Sequence, residues 1–306
     1  MQLPYYTIND YLRSKFGCKV IKLSLDAGFT CPNRDGNKGI GGCIFCSASG
    51  SGDTASDIPG QIKLLSKKWT TQKYIAYFQS HTNTYAPVSE LERKFHAALQ
   101  HPGIVGLAIA TRPDCLGEDV LDLLDELNQK TFLWVELGLQ TTHDETADRL
   151  NRCYPFADFD SAMKNLSRRN IRTVVHLIFG LPGETKEQML DSVKRVCNYN
   201  PFGIKIHLLN VIAGSAMETL YPGYTPFADI DEYVNLVSDA LEIISPEITI
   251  HRLTADAPRE LLIAPEWSYQ KRTILNNIYK EMKRRKSVQG CHFSSAPQFT
   301  PSLPSL

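Results

Sequence analysis

Long apolar runs are missing from this chain of 306 residues, and none approaches the roughly twenty residues that a membrane-spanning helix needs. A surplus of charge is missing too. Lys and Arg number 33 and Asp and Glu 33, so there is no global basic field to draw nucleic acid. Cysteine is sparse, eight residues in all, which excludes a disulfide-dense scaffold. No charged leader with an apolar segment and a small-residue cleavage site opens the chain, so a reducing, cytoplasmic setting is expected.

What is present is concentrated in three of those cysteines. Cys31, Cys43 and Cys46 form a C-x11-C-x2-C array after the apolar run at residues 20–25, on a loop that also holds Gly36, Gly39, Gly41 and Gly42. Glycine lets a backbone curl closely around an inorganic core. Three thiolates leave one coordination position open, and an open position means chemistry rather than structural support. Two readings remain: an iron–sulfur cluster, or a zinc site with Cys18 as fourth thiolate. Spacing favours the cluster, because structural zinc usually takes two close pairs and only Cys43 and Cys46 are paired here. Cys115, Cys153, Cys197 and Cys291 stand singly and read as small buried hydrophobes.

Apolar periodicity predicts strands at 20–25, 74–79, 104–110, 132–137, 172–178, 203–209 and 248–253, alternating with helices at 62–69, 88–100, 118–129, 144–151, 156–170, 186–198 and 230–244. Strict alternation demands parallel strands joined by right-handed crossovers, as an open sheet or a full or partial barrel. Polar residues inside the strands decide for the barrel. In the fourth strand Trp134, Glu136, Gly138 and Gln140 share one face and Leu133, Val135, Leu137 and Leu139 the other. The apolar face packs on helices, so Glu136 and Gln140 point into a lumen. Lys205, His207 and His176 join them there, and so many ionisable groups suit a wide, incomplete barrel. Catalytic groups then sit at the carboxyl ends of the strands, where the loop carrying Cys31 begins.

Near the end of the chain, residues 271–286 hold seven cations (Lys271, Arg272, Lys280, Lys283, Arg284, Arg285 and Lys286) against one acid, Glu281. The ordinary reading is one face of a solvated helix, and contact with phosphates is the sharper one.

The cysteine triad, Glu136-Leu137-Gly138-Leu139-Gln140, Phe179-Gly180-Leu181-Pro182-Gly183-Glu184 and Lys205-Ile206-His207 together resemble the radical S-adenosylmethionine (radical SAM) superfamily. Within it the chain resembles the YhcC/YtqA-type branch, whose cores are similar to the radical domain of the elongator catalytic subunit. Thr111-Arg112-Pro113-Asp114 and the stretch from His251 to Pro258 are further shared segments. Where relatives usually read Asn-Arg-Gly-His, this chain reads Asn151-Arg152-Cys153-Tyr154. A glycine there in a left-handed conformation would leave Cys153 straining the turn.

The resemblance implies an α/β fold, a partial (βα)6 TIM-like barrel over residues 1–255 with its cluster loop at 26–50. A short helical extension with the basic helix follows at 256–290, and then a disordered tail at 291–306. It implies a [4Fe-4S] cluster on Cys31, Cys43 and Cys46, with S-adenosylmethionine chelated at the unique iron and cleaved by one electron to a 5′-deoxyadenosyl radical. By position, Glu136 is expected at the ribose hydroxyls, and Gln79 and Ser80 at the methionyl amino group. Gly180, Pro182 and Val211 are expected to flank the adenine, and Arg112, Gln140 and Arg152 to contact carboxylate or ribose. The same resemblance suggests tRNA as partner, modified at C5 of the wobble uridine. Lys283, Arg284 and Arg285 would then grip phosphates beside the barrel mouth, and His176, Lys205 and His207 would face the substrate. An external one-electron donor of flavodoxin or ferredoxin type, and a companion modification enzyme, complete the expected partners. A small-molecule substrate and a non-catalytic zinc-stabilised module are the alternatives.

Overall fold

The computed structural model describes residues 3–50 and 52–294. Seven parallel strands run in the order β1 (Ile21–Leu25), β2 (Tyr74–Phe78), β3 (Ile104–Thr111), β4 (Phe132–Gln140), β5 (Arg172–Phe179), β6 (Gly203–Leu208) and β8 (Thr249–Arg252). No hydrogen-bonded ladder joins β1 to β8 among the described residues, so the sheet curls into a half-barrel with an open seam. A two-stranded antiparallel ribbon, β7 (Val211–Ile212) with β9 (Leu262–Ala264), stands apart from it.

Helices cover the outer face. They are α2 (Ile58–Ser66), α3 (Val88–Leu99), α4 (Glu118–Lys130), α5 (Asp144–Arg149), α6 (Phe156–Arg168), α7 (Lys186–Cys197) and α9 (Ile230–Ile243). The outward side chains of β4, Leu133, Val135, Leu137 and Leu139, are fully buried against this layer, as alternation demands. Helix starts follow local chemistry: Thr185 and Gln188 form a reciprocal capping box on α7, and Asp229 caps α9. The second helix begins four residues before the expected 62, because Asp57 accepts from Gly60 N and Pro59 fits the first turn.

Sequence periodicity did not find α1 (Ile8–Phe16), which closes the bottom of the half-barrel. Tyr11 and Phe16 of this segment pack on Phe132, and Trp134 and Phe202 continue the aromatic plug. Its signal was a pair of caps rather than a stripe: the Thr7 side chain accepts from Asp10 N, and Gly17 ends the helix in the left-handed conformation. With the bottom filled, the cavity lies toward the carboxyl ends of the strands.

After β8 and β9 the chain forms α10 (Lys271–Arg285), whose Ile274, Ile278 and Met282 belong to the main core. Residues 290 and 292 still hydrogen-bond to α9, through Leu241 O and Glu242 O. The disordered tail expected from 291 lies, from residue 295 on, outside the described residues. No helix among the described residues is long and apolar enough to cross a membrane.

Candidate active site

The loop after β1 is wound by its own backbone. Arg34 N donates to Cys31 O at 2.8 Å, Gly42 N to Asn33 O at 2.7 Å and Cys46 N to Cys43 O at 3.0 Å. Gly36, Gly41 and Gly42 take positive φ, and Gly39 is confined by space: a Cβ there would lie 2.1 Å from Asn33 Oδ1 and 2.8 Å from Cys153 Sγ. Two residues that sequence reading passed over strap the loop. Asn33, fully buried, donates through Nδ2 to Asn151 O and to Cys43 Sγ at 3.6 Å, and Arg34 donates to Ala48 O and Ser47 O.

Cys31, Cys43 and Cys46 are half-buried, free of disulfides, and line one cavity of about 520 Å³. The Cys43 thiol shares a hydrogen bond with Cys46, which lowers Cys46 and raises Cys43; burial adds to the rise at Cys43, while Arg34 helps to hold Cys46 down. A tetrahedral zinc with bonds of about 2.3 Å would set its sulfurs about 3.8 Å apart. The three sulfurs here do not all lie within 4.8 Å of one another. The donor set is all thiol, which suits an iron–sulfur cluster. Cys18, offered as a fourth zinc ligand, lies before β1 at the other end of the barrel, about 17 Å of strand away.

At the centre of the lumen Glu136 is fully buried. Trp134 Nε1 donates to its Oε1 at 2.8 Å, and Lys22 Nζ lies 3.9 Å from the same oxygen. Oε2 meets His176 Nε2 at 2.8 Å and Lys205 Nζ, which also donates to Tyr77 Oη at 3.0 Å. Burial alone would raise its carboxyl, but Lys205, Lys22 and His176 outweigh burial and hold it well below the usual range. Expected as an acceptor for ribose, Glu136 is already engaged at both oxygens and serves first as counter-charge to the lumen. Burial, with Lys205 nearby, pulls His176 down to about 4, and burial pulls His207 and His251 well below their usual value. All three are neutral imidazoles at neutral pH.

Alternation placed Lys205, His176 and His207 in the lumen correctly, and Gln79 and Gln140 line the cavity. Arg112 and Arg152 line it as well, and the remaining expected residues sit as follows. Ser80 is buried beside Gly52 instead of lining the cavity, and its Oγ would meet a Cβ on that glycine at 1.8 Å. Gly180 is covered by Pro226 and Phe227, its carbonyl accepts from Tyr224 Oη, and neither it nor Pro182 lines the cavity. Val211 packs with Ile44, Leu209 and Met217, while its neighbours Asn210 and Ile212 face the space. Arg112 spends Nε and Nη2 on Asp114, both at 2.9 Å, and Nη1 on Arg152 O. Arg152, fully buried, donates to the carbonyls of Leu139, Thr141 and Tyr154 and to Asp144, which makes it a positioning residue.

Lys283, Arg284 and Arg285 are not beside the mouth. Lys271 at the start of α10 pairs with Asp256 on the cavity rim, and the helix then runs about 22 Å down the outside. Arg285 ends on Asp239, Glu242 and Glu281, near the residues that precede β8. Arg284 is also tied to Glu281.

Cys153 occupies the left-handed region at φ +60°, so the strain expected of a residue standing in for glycine is present. Burial and the neighbouring Cys43 raise its thiol above the usual value. Replacing Cys153 by glycine is expected to stabilise the apoprotein by about 1 kcal/mol. Urea unfolding checks this, and an unchanged or lower midpoint would refute it.

Two family models match the chain. The model described as the radical SAM superfamily covers residues 31–196, and the radical SAM C-terminal domain covers 201–284. The uncharacterized protein YtqA of Bacillus subtilis is 47% identical over 298 residues, spanning 94% of this chain and 92% of its own length. Protein YhcC of Escherichia coli K12 is 37% identical over 265 residues, spanning 84% of this chain and 85% of its own. A tRNA uridine(34) acetyltransferase of Methanocaldococcus jannaschii is 25% identical over 200 residues, 64% of this chain and 36% of that protein. Among solved structures, Methanocaldococcus infernus Elp3 superimposes with a TM-score of 0.67 at 19% identity, over 88% of this chain and 64% of that one.

Proposed function

Because the chain belongs to the radical SAM superfamily, and so is an enzyme of unassigned reaction that uses a [4Fe-4S] cluster and S-adenosylmethionine, we propose that Cys31, Cys43 and Cys46 hold that cluster and that the cavity beside them holds the sulfonium cofactor. The carrying observation is three free thiols opening on one cavity of about 520 Å³ whose far wall is polar and buried. Bound there, the pair supplies one-electron cleavage of the sulfonium and a 5′-deoxyadenosyl radical able to take hydrogen from an inert C–H bond. The chain's own part is to bind, orient and screen. Asn33 and Arg34 fix the loop so that the sulfurs face inward. Gln79 and Gln140 offer amides along the cofactor's path, and the closed bottom keeps bulk water out. Radical SAM enzymes need an electron donor, and a flavodoxin or ferredoxin type suits a cytoplasmic protein.

For the substrate, the reading is tRNA, at the C5 side chain of the wobble uridine. Likeness to a tRNA uridine(34) acetyltransferase over 200 residues supports it, and a companion enzyme would finish the modification. Mass spectrometry of tRNA nucleosides from cells with and without the gene is expected to show one wobble nucleoside shifted in mass. Unchanged nucleosides would end the tRNA reading. A small metabolite is the second reading, favoured because the basic end of α10 lies away from the mouth. Membership of an enzyme family removes the non-catalytic zinc module.

A further inference from the structure

The lumen carries more positive than negative charge. Lys22 of β1 and Lys205 of β6 both reach Glu136, and Arg252 of β8 stands close enough to depress both lysines. Arg252 lines the cavity, and its one ion pair among the described residues runs from Nη2 to Asp256 Oδ2 at 2.9 Å. Asp256 is half exposed at the rim and already shared with Lys271. With Asp256 set against Lys271, three basic groups, Lys22, Lys205 and Arg252, share one carboxylate, Glu136. The neighbouring imidazoles are neutral and leave that balance unchanged.

Lys205 is buried while the Lys22 and Arg252 side chains stay partly exposed, and basic groups gathered on a partly enclosed wall favour the arrival of a counter-charge. Burial first, and then the other cations, pull Lys22 and Lys205 below the usual lysine value against the pull of Glu136. Arg252 offers a planar fork of five N–H donors that matches carboxylate or phosphate oxygens, and among the described residues only Nη2 is engaged. His207 lines the same wall with its Nε2 buried and unpartnered. The segment from His251 to Pro258, singled out in the sequence but given no task, supplies both Arg252 and the rim.

We propose that this end of the cavity is a subsite for an anionic group of the substrate, a phosphate or a carboxylate, held on Arg252 with Lys22 and Lys205 behind it and His207 beside it. The subsite rests on the reading above, since the anion belongs to the molecule whose C–H bond is attacked. It also defines direction: the anion enters from the rim at Asp256 and is held across the lumen from the cysteine loop.

Calorimetric titration of the reconstituted protein with inorganic phosphate and, separately, malonate tests the subsite, at constant ionic strength and with S-adenosylmethionine saturating. Saturable binding of at least one anion is expected. Arg252→Gln should weaken it about tenfold or more, and Arg252→Lys should recover part of the loss. Lys194→Gln, on the exposed face of α7, should change nothing. If Arg252→Gln does not fold, Lys22→Met serves, with an expected loss of about threefold or more. Preference for phosphate assigns the anion to a phosphorylated substrate, and preference for malonate to a carboxylate. Three results overturn the proposal: neither anion binds, binding survives both variants, or an anion that binds in a parallel titration without S-adenosylmethionine no longer binds once it saturates, which would mark the cofactor's own carboxylate site. Failure to form 5′-deoxyadenosine is a separate readout that would overturn the radical reading whatever the anions do.

Discussion

Replacing Cys43 by alanine is expected to leave a folded protein that neither retains a cluster after anaerobic reconstitution nor forms 5′-deoxyadenosine above background. Cys43 is central to the loop's chemistry: its sulfur accepts from Asn33, and its thiol shares the hydrogen bond that lowers Cys46. With two ligands left the cluster has no stable seat, and the expected drop in cofactor cleavage is about a thousandfold or more, consistent with losing chemistry that only the cofactor supplies. The fold should survive because the loop is held elsewhere. Ile44 N donates to Leu150 O at 3.0 Å, Met217 N to Ile44 O at 2.9 Å, and Gly42 N to Asn33 O. Iron and sulfide content, visible absorption and product formation are the readouts, with Cys18→Ala, at the far end of the barrel, as the variant that should match wild type. A Cys43→Ala protein that keeps a full cluster and cleaves S-adenosylmethionine would remove the three-cysteine assignment.

Much of the barrel was legible because its strands obey period two at length. All seven parallel strands fall within three residues of their expected bounds, and the inward set Glu136, His176, Lys205 and His207 follows from alternation alone. Short elements escaped. The β7–β9 ribbon has two and three residues, too few for a period, and α1 announces itself only by its caps. Which inward groups are free to bind was not legible either. Arg152 is consumed by the carbonyls of Leu139, Thr141 and Tyr154, a constellation made only when the chain returns after β4. The direction of α10 likewise depends on the crossover after β8, so a basic stretch that looked suited to the mouth ends beneath the barrel. The glycine-to-cysteine departure at Cys153 was readable because φ at such a turn is dictated by local sterics.

Glu136→Gln is expected to lower the unfolding free energy by about 3–5 kcal/mol, the ordinary cost of removing one partner from a buried ion pair. The size follows from what is left behind. Lys205 would keep only Tyr77 Oη, and Lys22 and Arg252 would face it without a carboxylate between them. The amide keeps one acceptor oxygen, which can stay with Trp134, while its NH2 replaces the oxygen that meets His176 and Lys205, so the loss combines the missing charge with one missing acceptor. Lys205→Met alone should cost less, because Lys22 remains as counter-charge and His176 as hydrogen-bond partner of Glu136. Joined in one chain, the two changes should cost clearly less than their sum, giving a coupling of about 1–3 kcal/mol in urea unfolding. Additive losses would show that the pair is not coupled, and a Glu136→Gln protein as stable as wild type would show that the lumen's positive charge is already met by water or by a bound anion. The last outcome is distinguishable, since repeated dialysis against anion-free buffer should then expose the missing loss.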